Sequence, residues 1–352
     1  MNKIKVLHIL SSKTYNGAEN VVCQINSMLQ STKDNIELIY CSLDGPVRSH
    51  IEECKIRFIP VSRISKREIV RVIQEIKPDI IHAHDMRASF VAALACKKIP
   101  LVSHIHNNNF DSRGLSLKSV LYFYAAIKAN HIFWVSKSSF DGYRFHNLLD
   151  SKSEILFNVI DVKALYKKAE LDENTYDYDA VYLGRLTYQK NPQRLIEVLS
   201  EVINKMPGFT AAILGDGEDV SEIKRLIRNN NIQNNVTYLG FSDNPYKVLQ
   251  TSKLMIMTSR WEGTPMCALE AIAMGVPIVS TPVDGMCDLI VDNQNGYLSD
   301  DNEELARRCF EIASNDVLQK RLSYGAKQTA ERIMSVESYR NTISSLYHRI
   351  VR

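Results

Sequence analysis

The stretch SRWEGTPMCALEAIAMGVP, residues 259–277, is the part of the chain that decides the fold. It follows a short apolar run at residues 254–257 that is typical of a buried strand. Thr264 followed by Pro265 is the pattern of an N-cap residue and a proline in the first helical position. A helix that begins directly after a strand leaves its amides and the positive end of its dipole open to an anion. We therefore predict a strand, an anion-binding turn and a helix.

Two carboxylates flank the predicted turn. Glu262 precedes the helix and Glu270 lies in its second turn, so a ligand at the helix start can have one acid at each end. Gly263 permits a ligand to approach the backbone closely, and Gly275 is a suitable stop for the helix. Single acids and Thr-Pro caps are common, but the combination favours a binding site.

Composition places the chain among globular proteins of two domains. Of its 352 residues, 45% are apolar and 24% charged, and the net charge of +3 does not indicate nucleic-acid binding. Residues 1–160 contain 21 Lys and Arg against 14 Asp and Glu, a net charge of +7. This favours an anionic partner, such as an acidic lipid surface or a phosphate-bearing acceptor, although ordinary variation in surface charge explains it equally well.

Cysteine usage and hydropathy indicate a cytoplasmic protein, attached at most to the inner face of a membrane. The seven cysteines are scattered, odd in number and never in a C-x-x-C pattern, which argues against disulfides and a zinc site. The first apolar stretch is too short for a signal peptide, and no apolar run is long enough to span a bilayer.

Short apolar runs alternate with helical patterns in two successive series. The first series has strands at 6–10, 36–40, 80–84, 101–106 and 132–135, and helices at 18–29, 66–76, 88–97 and 117–129. The second has strands at 180–183, 210–214, 236–239, 254–257 and 278–280, and helices at 192–204, 219–230, 244–251 and 265–274. This rhythm predicts two α/β domains, each with a doubly wound parallel sheet, and ligands at the carboxyl ends of the strands.

The predicted boundaries follow from breaks in this rhythm. We expect an N-terminal domain at 1–162, a polar linker at 163–178 and a C-terminal domain at 179–335. We expect residues 336–352 to form a helix that packs back on the N-terminal domain.

The Glu262–Glu270 block, EGTPMCALEAIAMGVPIV, resembles the E-x7-E signature of retaining GT-B glycosyltransferases, particularly family four of the bacterial surface-polysaccharide type. Other blocks occur in that family's order: NGAE at 16–19, YLGRLTYQK at 182–190, ILGDG at 213–217 and NG at 295–296. The resemblance covers nearly the whole chain. It implies two Rossmann-like domains that face each other across a cleft.

The resemblance also assigns roles in binding a nucleotide-sugar donor. Glu270 would bind the ribose hydroxyls, Glu262 would lie near the transferred sugar, and Arg185 and Lys190 would hold the diphosphate. A strand ending at Gly184, followed by these cations and a new helix, also fits a phosphate site on physical grounds. None of these motifs contains an Asp-x-Asp pair, so we predict that neither a metal nor another cofactor is required.

Further donor contacts are expected from backbone and base-stacking positions. The Gly215-Asp-Gly217 turn would line the nucleotide pocket, and Phe241 would lie beside the base. The backbone of Gly263, Thr264, Pro265 and Met266 would meet the diphosphate.

The histidines of the first domain offer two interpretations. His82, His84, His104 and His106 form two His-x-His pairs at strand ends, a pattern that can bind metal, but nearby cysteines and paired acids are lacking. LVSHIHN at 101–107 instead resembles the family's strand that ends in a sugar-binding histidine, which implicates His106 as a catalytic residue with Glu262. Within each pair the rings share a strand face, and His84 is expected on the acceptor side.

The loop at residues 16–19 resembles the family's acceptor loop with one departure. Asn16 replaces the first glycine, and we expect it to tolerate a positive φ there. Gly17 and Glu19 would complete the acceptor side.

These features predict transfer, with retention, of a hexose or N-acetylhexosamine from a nucleotide sugar, with UDP as the expected nucleotide. The acceptor would be a glycan or a polyprenyl-diphosphate-linked glycan of a capsule or O-antigen. An anionic membrane surface would be a further partner, contacted by basic residues at Arg63, Lys66, Arg67 and Arg71. A sugar-nucleotide 2-epimerase of the same fold and a non-catalytic sugar-binding module are the alternatives.

Overall fold

The structure is a computed structural model that describes residues 3–31, 34–106 and 112–351. The chain divides into two compact units. The first unit combines Met1–Asn158 with Ser335–Arg352, and the second comprises Val159–Met334. The last helix therefore belongs to the first unit, although the whole second unit separates it from the rest in sequence.

In the described part of the first unit, seven strands form one parallel sheet in the order β3-β2-β1-β4-β5-β6-β7. The strands are β1 (Ile4–Ile9), β2 (Ile36–Leu43), β3 (Arg57–Val61), β4 (Ile80–Ala83), β5 (Leu101–Ile105), β6 (His131–Trp134) and β7 (Ser153–Ile155). Most are continuous apolar runs because helices cover both faces of a parallel sheet. The strand order reverses between β1 and β4.

The helices of the first unit are α1 (Gly17–Ser31), α2 (Val47–Glu53), α3 (Lys66–Ile76), α4 (Met86–Ala95), α5 (Leu117–Lys128), α6 (Lys137–Asp141) and the C-terminal α15 (Val336–Val351). Helices α3, α4 and α5 bury one face of the sheet with Leu7 and Ile81 at its centre. Helix α15 packs beside α1 and reaches the other face through Tyr347, which contacts His82.

The second unit has a six-stranded parallel sheet among its described residues, in the order β10-β9-β8-β11-β12-β13. The strands are β8 (Ala180–Leu183), β9 (Ala211–Leu214), β10 (Val236–Gly240), β11 (Leu254–Met257), β12 (Ile278–Ser280) and β13 (Gly296–Leu298). The helices are α7 (Val162–Glu170), α8 (Pro192–Lys205), α9 (Val220–Asn229), α10 (Tyr246–Thr251), α11 (Met266–Ala273), α12 (Asp284–Leu289), α13 (Asn302–Ser314) and α14 (Asp316–Ile333).

Both faces of this second sheet are covered. Helices α8, α9 and α13 pack on one face around Leu199, and α7, α11 and α14 pack on the other around Ile272. The strand order reverses between β8 and β11, which is where a doubly wound sheet leaves room for a ligand at its carboxyl edge.

The structure corrects the predicted linker at 163–178. Its first half is helix α7, capped by the Asp161 carboxylate, which accepts a hydrogen bond from the Ala164 amide at 3.1 Å. Leu165 and Ala169 are buried in the second unit's core. Only these two residues of α7 are buried, and the lysines around them make the segment look polar in the sequence.

The cap before α11 is also corrected. The helix begins at Met266, with Pro265 rather than Thr264 in the N-cap position. The predicted stop is confirmed: Gly275 has φ +75°, and the Val276 amide donates to the Ala271 carbonyl at 2.8 Å, as in a Schellman motif.

Candidate active site

The predicted donor residues lie in the second unit, around the carboxyl ends of β8 and β11. Gly184 directly follows β8, and its amide donates to the Leu214 carbonyl at the end of β9 at 3.1 Å. The loop after β8 ends at Asn191, which has φ +52° and is the N-cap of α8. The loop after β11 carries residues 258–265 to the start of α11. The two loops are neighbours at the reversal of strand order.

A buried ion pair joins these two loops. The Lys190 Nζ atom lies 2.6 Å from Glu262 Oε1, and both side chains are nearly inaccessible to solvent. The Ser259 hydroxyl donates to the same carboxylate oxygen at 2.6 Å. Burial by itself lowers the pKa of Lys190, but the adjacent Glu262 carboxylate outweighs it, so the net shift is upward. The lysine is therefore held as a cation at the switch point.

Arg185 lies at the solvent side of the same loop. It is exposed, and its guanidinium donates to Gln189 Oε1 at 3.4 Å. Gln189 in turn donates to the Trp261 carbonyl at 3.0 Å, which ties the β8 loop to the β11 loop. The two predicted diphosphate cations thus differ, because Lys190 is buried in an ion pair while Arg185 is exposed and has one long hydrogen bond to Gln189.

Glu270 lies one turn into α11, where it is partly buried. The Tyr246 hydroxyl donates to Glu270 Oε1 at 3.3 Å. Burial raises the pKa of Glu270 to about 7, and the Tyr246 hydrogen bond and Lys168 offset only part of that effect. At neutral pH this carboxyl group therefore exchanges between its protonated and ionised forms.

Two glycines allow the β9 loop to touch the β8 loop. A Cβ atom on Gly215 would lie 1.9 Å from the Gly184 carbonyl oxygen, and one on Gly217 would lie 2.2 Å from that of Leu186. The Gly215 amide also donates to the Gly240 carbonyl at 2.8 Å, and Phe241 follows with 71% of its surface exposed. Gly184, Gly215, Gly217 and Phe241 therefore lie in neighbouring loops at the carboxyl ends of β8, β9 and β10.

Gly263 and Thr264 are packed against the start of α12. A Cβ atom on Gly285 would lie 1.4 Å from the Gly263 carbonyl oxygen, so only glycine fits this contact. The pair fixes the turn that precedes Met266 and α11. Sequence analysis singled out Gly263 but assigned no role to Gly285.

Arg260 is a polar residue of the site that the motifs did not indicate. Its guanidinium donates to the Tyr188 carbonyl at 3.1 Å and to Asn191 Oδ1 at 2.9 Å, and it stacks over the Tyr188 ring at 4.3 Å. With Asn191, Ser259 and Thr281 among others, it lines a cavity of about 370 Å³. The only indication of Arg260 in the sequence is its position between Ser259 and Glu262.

In the first unit, the predicted acceptor loop forms the start of α1. Gly17 is the first helical residue, and the buried Glu19 carboxylate accepts a hydrogen bond from the Asn16 amide at 2.9 Å. This is the return half of a capping box. The expected positive φ at Asn16 is wrong, because Asn16 is absent from the positive-φ residues of the described chain. Asn16 is instead fixed by its amide and by a side-chain bond to Thr14 Oγ1 at 2.8 Å.

The histidines form a stack on the α15 side of the first sheet. Rings of His82 and His84 lie 4.3 Å apart, those of His104 and His106 4.2 Å, and those of His84 and His106 5.2 Å. His8 on β1 joins them 5.0 Å from His84. Burial lowers the pKa of His8 and His106 to about 3, and the pKa values of His82, His84 and His104 are also well below 6.5. All five rings are therefore neutral at pH 7.

Within the described residues, two histidine trios have ring nitrogens close enough to hold a metal ion: His8, His82 and His84, and His84, His104 and His106. Ring nitrogens of His8 and His84 lie 2.8 Å apart, and those of His84 and His106 lie 2.9 Å apart. These are hydrogen-bond distances, shorter than the roughly 3.3 Å that separates two ligands of a tetrahedral zinc ion with Zn–N bonds of about 2.0 Å. Hydrogen bonding therefore accounts for the contacts, and metal independence stays a prediction.

Two doubly wound parallel-sheet units in one chain are the architecture of the GT-B class of fold. Models of two families match successive parts of the chain: Glycosyltransferase Family 4 at residues 15–164 and Glycosyl transferases group 1 at residues 166–329. The chain belongs to the glycosyltransferases of the GT-B fold.

Individual relatives agree with this assignment. An uncharacterised glycosyltransferase of Methanocaldococcus jannaschii is 31% identical over 62% of this chain, which spans 60% of that relative. The UDP-Gal:alpha-D-GlcNAc-diphosphoundecaprenol alpha-1,3-galactosyltransferase of Escherichia coli is 25% identical over 86% of this chain and 85% of its own length. The structure of Anabaena HepE in complex with UDP superposes with a TM-score of 0.85 at 20% identity, covering 98% of this chain and all of HepE.

No helix among the residues that the structure describes is both long and apolar enough to cross a membrane.

Proposed function

We propose that this protein is a retaining glycosyltransferase. It transfers a hexose or N-acetylhexosamine from a UDP-sugar to a glycan or polyprenyl-diphosphate-linked glycan acceptor in surface-polysaccharide synthesis. The observation that carries the proposal is the buried Lys190–Glu262 pair at the switch point of the second sheet, beside the start of α11. A buried cation next to a helix N-terminus is a site for an anion such as a diphosphate.

The residues of this site would stabilise the negative charge of a departing diphosphate. Cleavage of the sugar–phosphate bond leaves negative charge on the diphosphate, which Lys190, Arg185 and the backbone of residues 263–266 would stabilise without a metal. Glu262, held by Lys190 and Ser259, would bind the hydroxyls of the transferred sugar. Glu270 would accept hydrogen bonds from the ribose, and His106 would contact the sugar.

The names of similar proteins support the choice of donor and acceptor. The Escherichia coli relative is named for a UDP-sugar donor and a diphosphoundecaprenol-linked acceptor, and Anabaena HepE was solved with UDP. We therefore propose UDP as the nucleotide and a lipid-linked acceptor at the inner face of the plasma membrane.

The test is transfer from a panel of UDP-sugars to a synthetic polyprenyl-diphosphate-linked sugar, with the product anomer assigned by NMR. Retention is expected, and an inverted product would refute the mechanism. Glu270→Ala should weaken UDP binding in calorimetry by about tenfold or more, the equivalent of one charge-assisted hydrogen bond. Glu331→Gln, an exposed glutamate on α14, is the matched control and should bind UDP normally.

One control reaction separates the alternatives. Incubation with UDP-GlcNAc and no acceptor should leave the sugar unchanged, whereas formation of its 2-epimer would identify an epimerase. UDP-sugar binding without transfer to any acceptor would favour a non-catalytic module.

Membrane contact is supported by α5 rather than by the basic residues predicted at positions 63–71. Arg71 is paired with Glu68 and Glu75 at 3.1 and 3.4 Å, so part of the charge on α3 is internally neutralised. On α5, Leu117, Val120, Tyr124 and Ile127 are exposed, with 74% of Leu117 and 56% of Ile127 accessible.

These four side chains form a single stripe. At 3.6 residues per turn they lie within an arc of about 80° on the helix surface. Lys128, at the C-terminal end of α5, lies beside the stripe, with its Nζ atom 4.7 Å from the centre of the Tyr124 ring. An exposed apolar stripe with a cation at its end fits an anionic lipid surface, where apolar side chains enter the headgroup boundary and cations meet phosphates.

Sedimentation with phosphatidylglycerol vesicles tests this contact. Binding by the native chain should be lost in the triple variant Leu117→Gln, Val120→Gln and Ile127→Gln. The matched control, Leu171→Gln with Val317→Gln and Tyr324→Gln, changes equally exposed residues of the second unit and should bind like the native chain. Equal vesicle binding by both variants would contradict the membrane assignment. So would a native dimer that the first variant dissociates, because the stripe would then be a contact between two copies of the chain.

A further inference from the structure

The carboxyl group of Glu270 on α11 is held from α10. Tyr246 is the first residue of α10, and its hydroxyl donates to Glu270 Oε1 at 3.3 Å. This is the only side-chain hydrogen bond of Glu270 among the described residues, and Glu270 Oε2 is not one of their buried atoms that lack a partner. One carboxylate oxygen is therefore held by the protein while the other is open to a ligand. Sequence analysis assigned no role to Tyr246.

Helix α7 supports Tyr246 from the other side. Lys168 lies in the last turn of α7, with its Nζ atom 5.5 Å from the centre of the Tyr246 ring. The Asn244 side-chain amide donates to the Lys168 carbonyl at 2.8 Å, which fixes the loop before α10 to the end of α7. The helix in the segment predicted as a linker thus supports Glu270 through Tyr246.

The surroundings of Glu270 act in opposite directions on its charge. Burial favours the neutral carboxyl group and raises its pKa to about 7, whereas the Tyr246 hydrogen bond and the Lys168 charge favour the ionised form. Of these two stabilising groups, Tyr246 has the larger effect. Cys267 on α11 also acts on Glu270, but burial raises the pKa of its thiol to about 11, so it carries no charge at pH 7.

We infer that Tyr246 is a positioning residue that presents Glu270 to the ribose diol as an oriented carboxylate. A diol donates two hydrogen bonds, and only the ionised group accepts both, because a neutral carboxyl group uses one oxygen as a donor. The Tyr246 bond occupies one of about four lone-pair positions of the carboxylate, which leaves room for both ribose hydroxyls. The ribose contact rests on the proposed function, whereas the effect of Tyr246 on Glu270 does not.

Carboxyl ¹³C NMR of the full chain, labelled with ¹³Cδ-glutamate and free of ligand, tests the effect of Tyr246. Glu270 should titrate near pH 7 in the native chain, and Glu270→Gln assigns its signal. Tyr246→Phe removes a hydrogen bond to the ionised form, so Glu270 should titrate at a higher pH in that variant. An unchanged titration would overturn the inference.

Tyr166→Phe is the matched control. Tyr166 packs in the same core as Tyr246, and its hydroxyl donates at 3.4 Å to the carbonyl of Met274, the C-cap of α11. This variant loses a hydrogen bond of similar length to the same helix but none to Glu270. It should leave the titration of Glu270 unchanged. Equal changes in the two variants would indicate a general disturbance of α11 and contradict the proposal.

Binding of UDP and of 2′,3′-dideoxy-UDP tests the ribose contact. At pH 7, Tyr246→Phe should weaken UDP binding about fivefold, the equivalent of one ordinary hydrogen bond, and leave dideoxy-UDP binding unchanged. The loss of UDP affinity should shrink as the pH rises further, because Glu270 is then ionised in both proteins. Equal losses for the two nucleotides, or a loss independent of pH, would overturn the role of Tyr246.

The proposed function fails separately from this inference. A raised titration in Tyr246→Phe, together with a Glu270→Ala variant that keeps the native preference for UDP over dideoxy-UDP, would refute the ribose contact. It would keep the action of Tyr246 on Glu270. An unchanged titration in Tyr246→Phe, together with a lost preference in Glu270→Ala, would refute the role of Tyr246 and keep the proposed function.

Discussion

At the scale of single residues, Glu270 is an acid whose environment differs strongly from water. Its carboxyl group is held in α11 by the Tyr246 hydroxyl, and burial raises its pKa to about 7. A ribose diol donates hydrogen bonds, and it can donate two of them only to the ionised carboxylate. Donor binding should therefore draw a proton off Glu270.

This coupling predicts a pH dependence of UDP binding. Above pH 7 Glu270 is already ionised and affinity should be constant, whereas below pH 7 binding must first remove the proton. Affinity should therefore fall by up to about tenfold per pH unit as the pH drops from 7 to 6. Calorimetry in buffers of different ionisation enthalpy should show proton release near pH 7.

Glu270→Gln removes the titrating group and should bind UDP weakly with no such pH dependence. A variant that kept the native pH profile would show that another group is responsible.

At the scale of elements, the contact between the β8 and β9 loops depends on Gly215. A Cβ atom there would lie 1.9 Å from the backbone oxygen of Gly184, which cannot move aside as a flexible side chain would. Gly215→Ala should destabilise the second unit by about 1–3 kcal/mol. It should also weaken UDP binding about tenfold, because the loop that carries Arg185 is displaced. Thermal unfolding and calorimetry measure the two effects.

Gly208→Ala is the control, since no atom lies within 4 Å of its added methyl group and its φ is not positive. If both alanine variants behaved alike, the close contact of the two loops would have no energetic importance.

Most elements that the sequence predicts have a strong apolar pattern, and these include the three-residue strand β12. β3 was not predicted because only Phe58, Ile59 and Val61 are buried and Pro60 interrupts the apolar pattern. A proline is tolerated there because β3 is an edge strand. β13, Gly296–Leu298, consists of a glycine and two apolar residues, which is too little to be recognised as an apolar run. The donor motifs were readable because each couples a turn to a strand end. The Lys190–Glu262 pair was not, since only tertiary packing brings residues 72 positions apart together.

At the scale of the whole molecule, the five stacked histidines make the first unit sensitive to acid. His8 and His106 have pKa values of about 3 in the fold, against about 6.5 in an unfolded chain, and His82, His84 and His104 are shifted the same way. Their stabilising contribution is complete above pH 6.5. Below pH 6.5 these histidines are protonated in the unfolded chain but stay neutral in the folded protein. The free energy of unfolding therefore falls by up to about 1.4 kcal/mol per pH unit for each histidine.

Urea unfolding of the first unit, followed by Trp134 fluorescence in a Trp261→Phe background, should therefore show a steep loss of stability between pH 6.5 and 5. His104→Phe should reduce this slope because it removes one of the titrating rings. Neither ring nitrogen of His104 has a partner among the described residues, so the substitution loses no hydrogen bond. His50→Gln, at an exposed histidine, should leave the slope unchanged. A slope that His104→Phe did not alter would contradict this account.

The division of the chain has a consequence for its biosynthesis. The first unit includes Ser335–Arg352, yet a ribosome makes these residues only after the whole of Val159–Met334. While the second unit is translated, the sheet face that receives Tyr347 has no α15 to cover it. The second unit, contiguous in sequence, can fold as it emerges. The unit that the ribosome begins first is thus the one completed last.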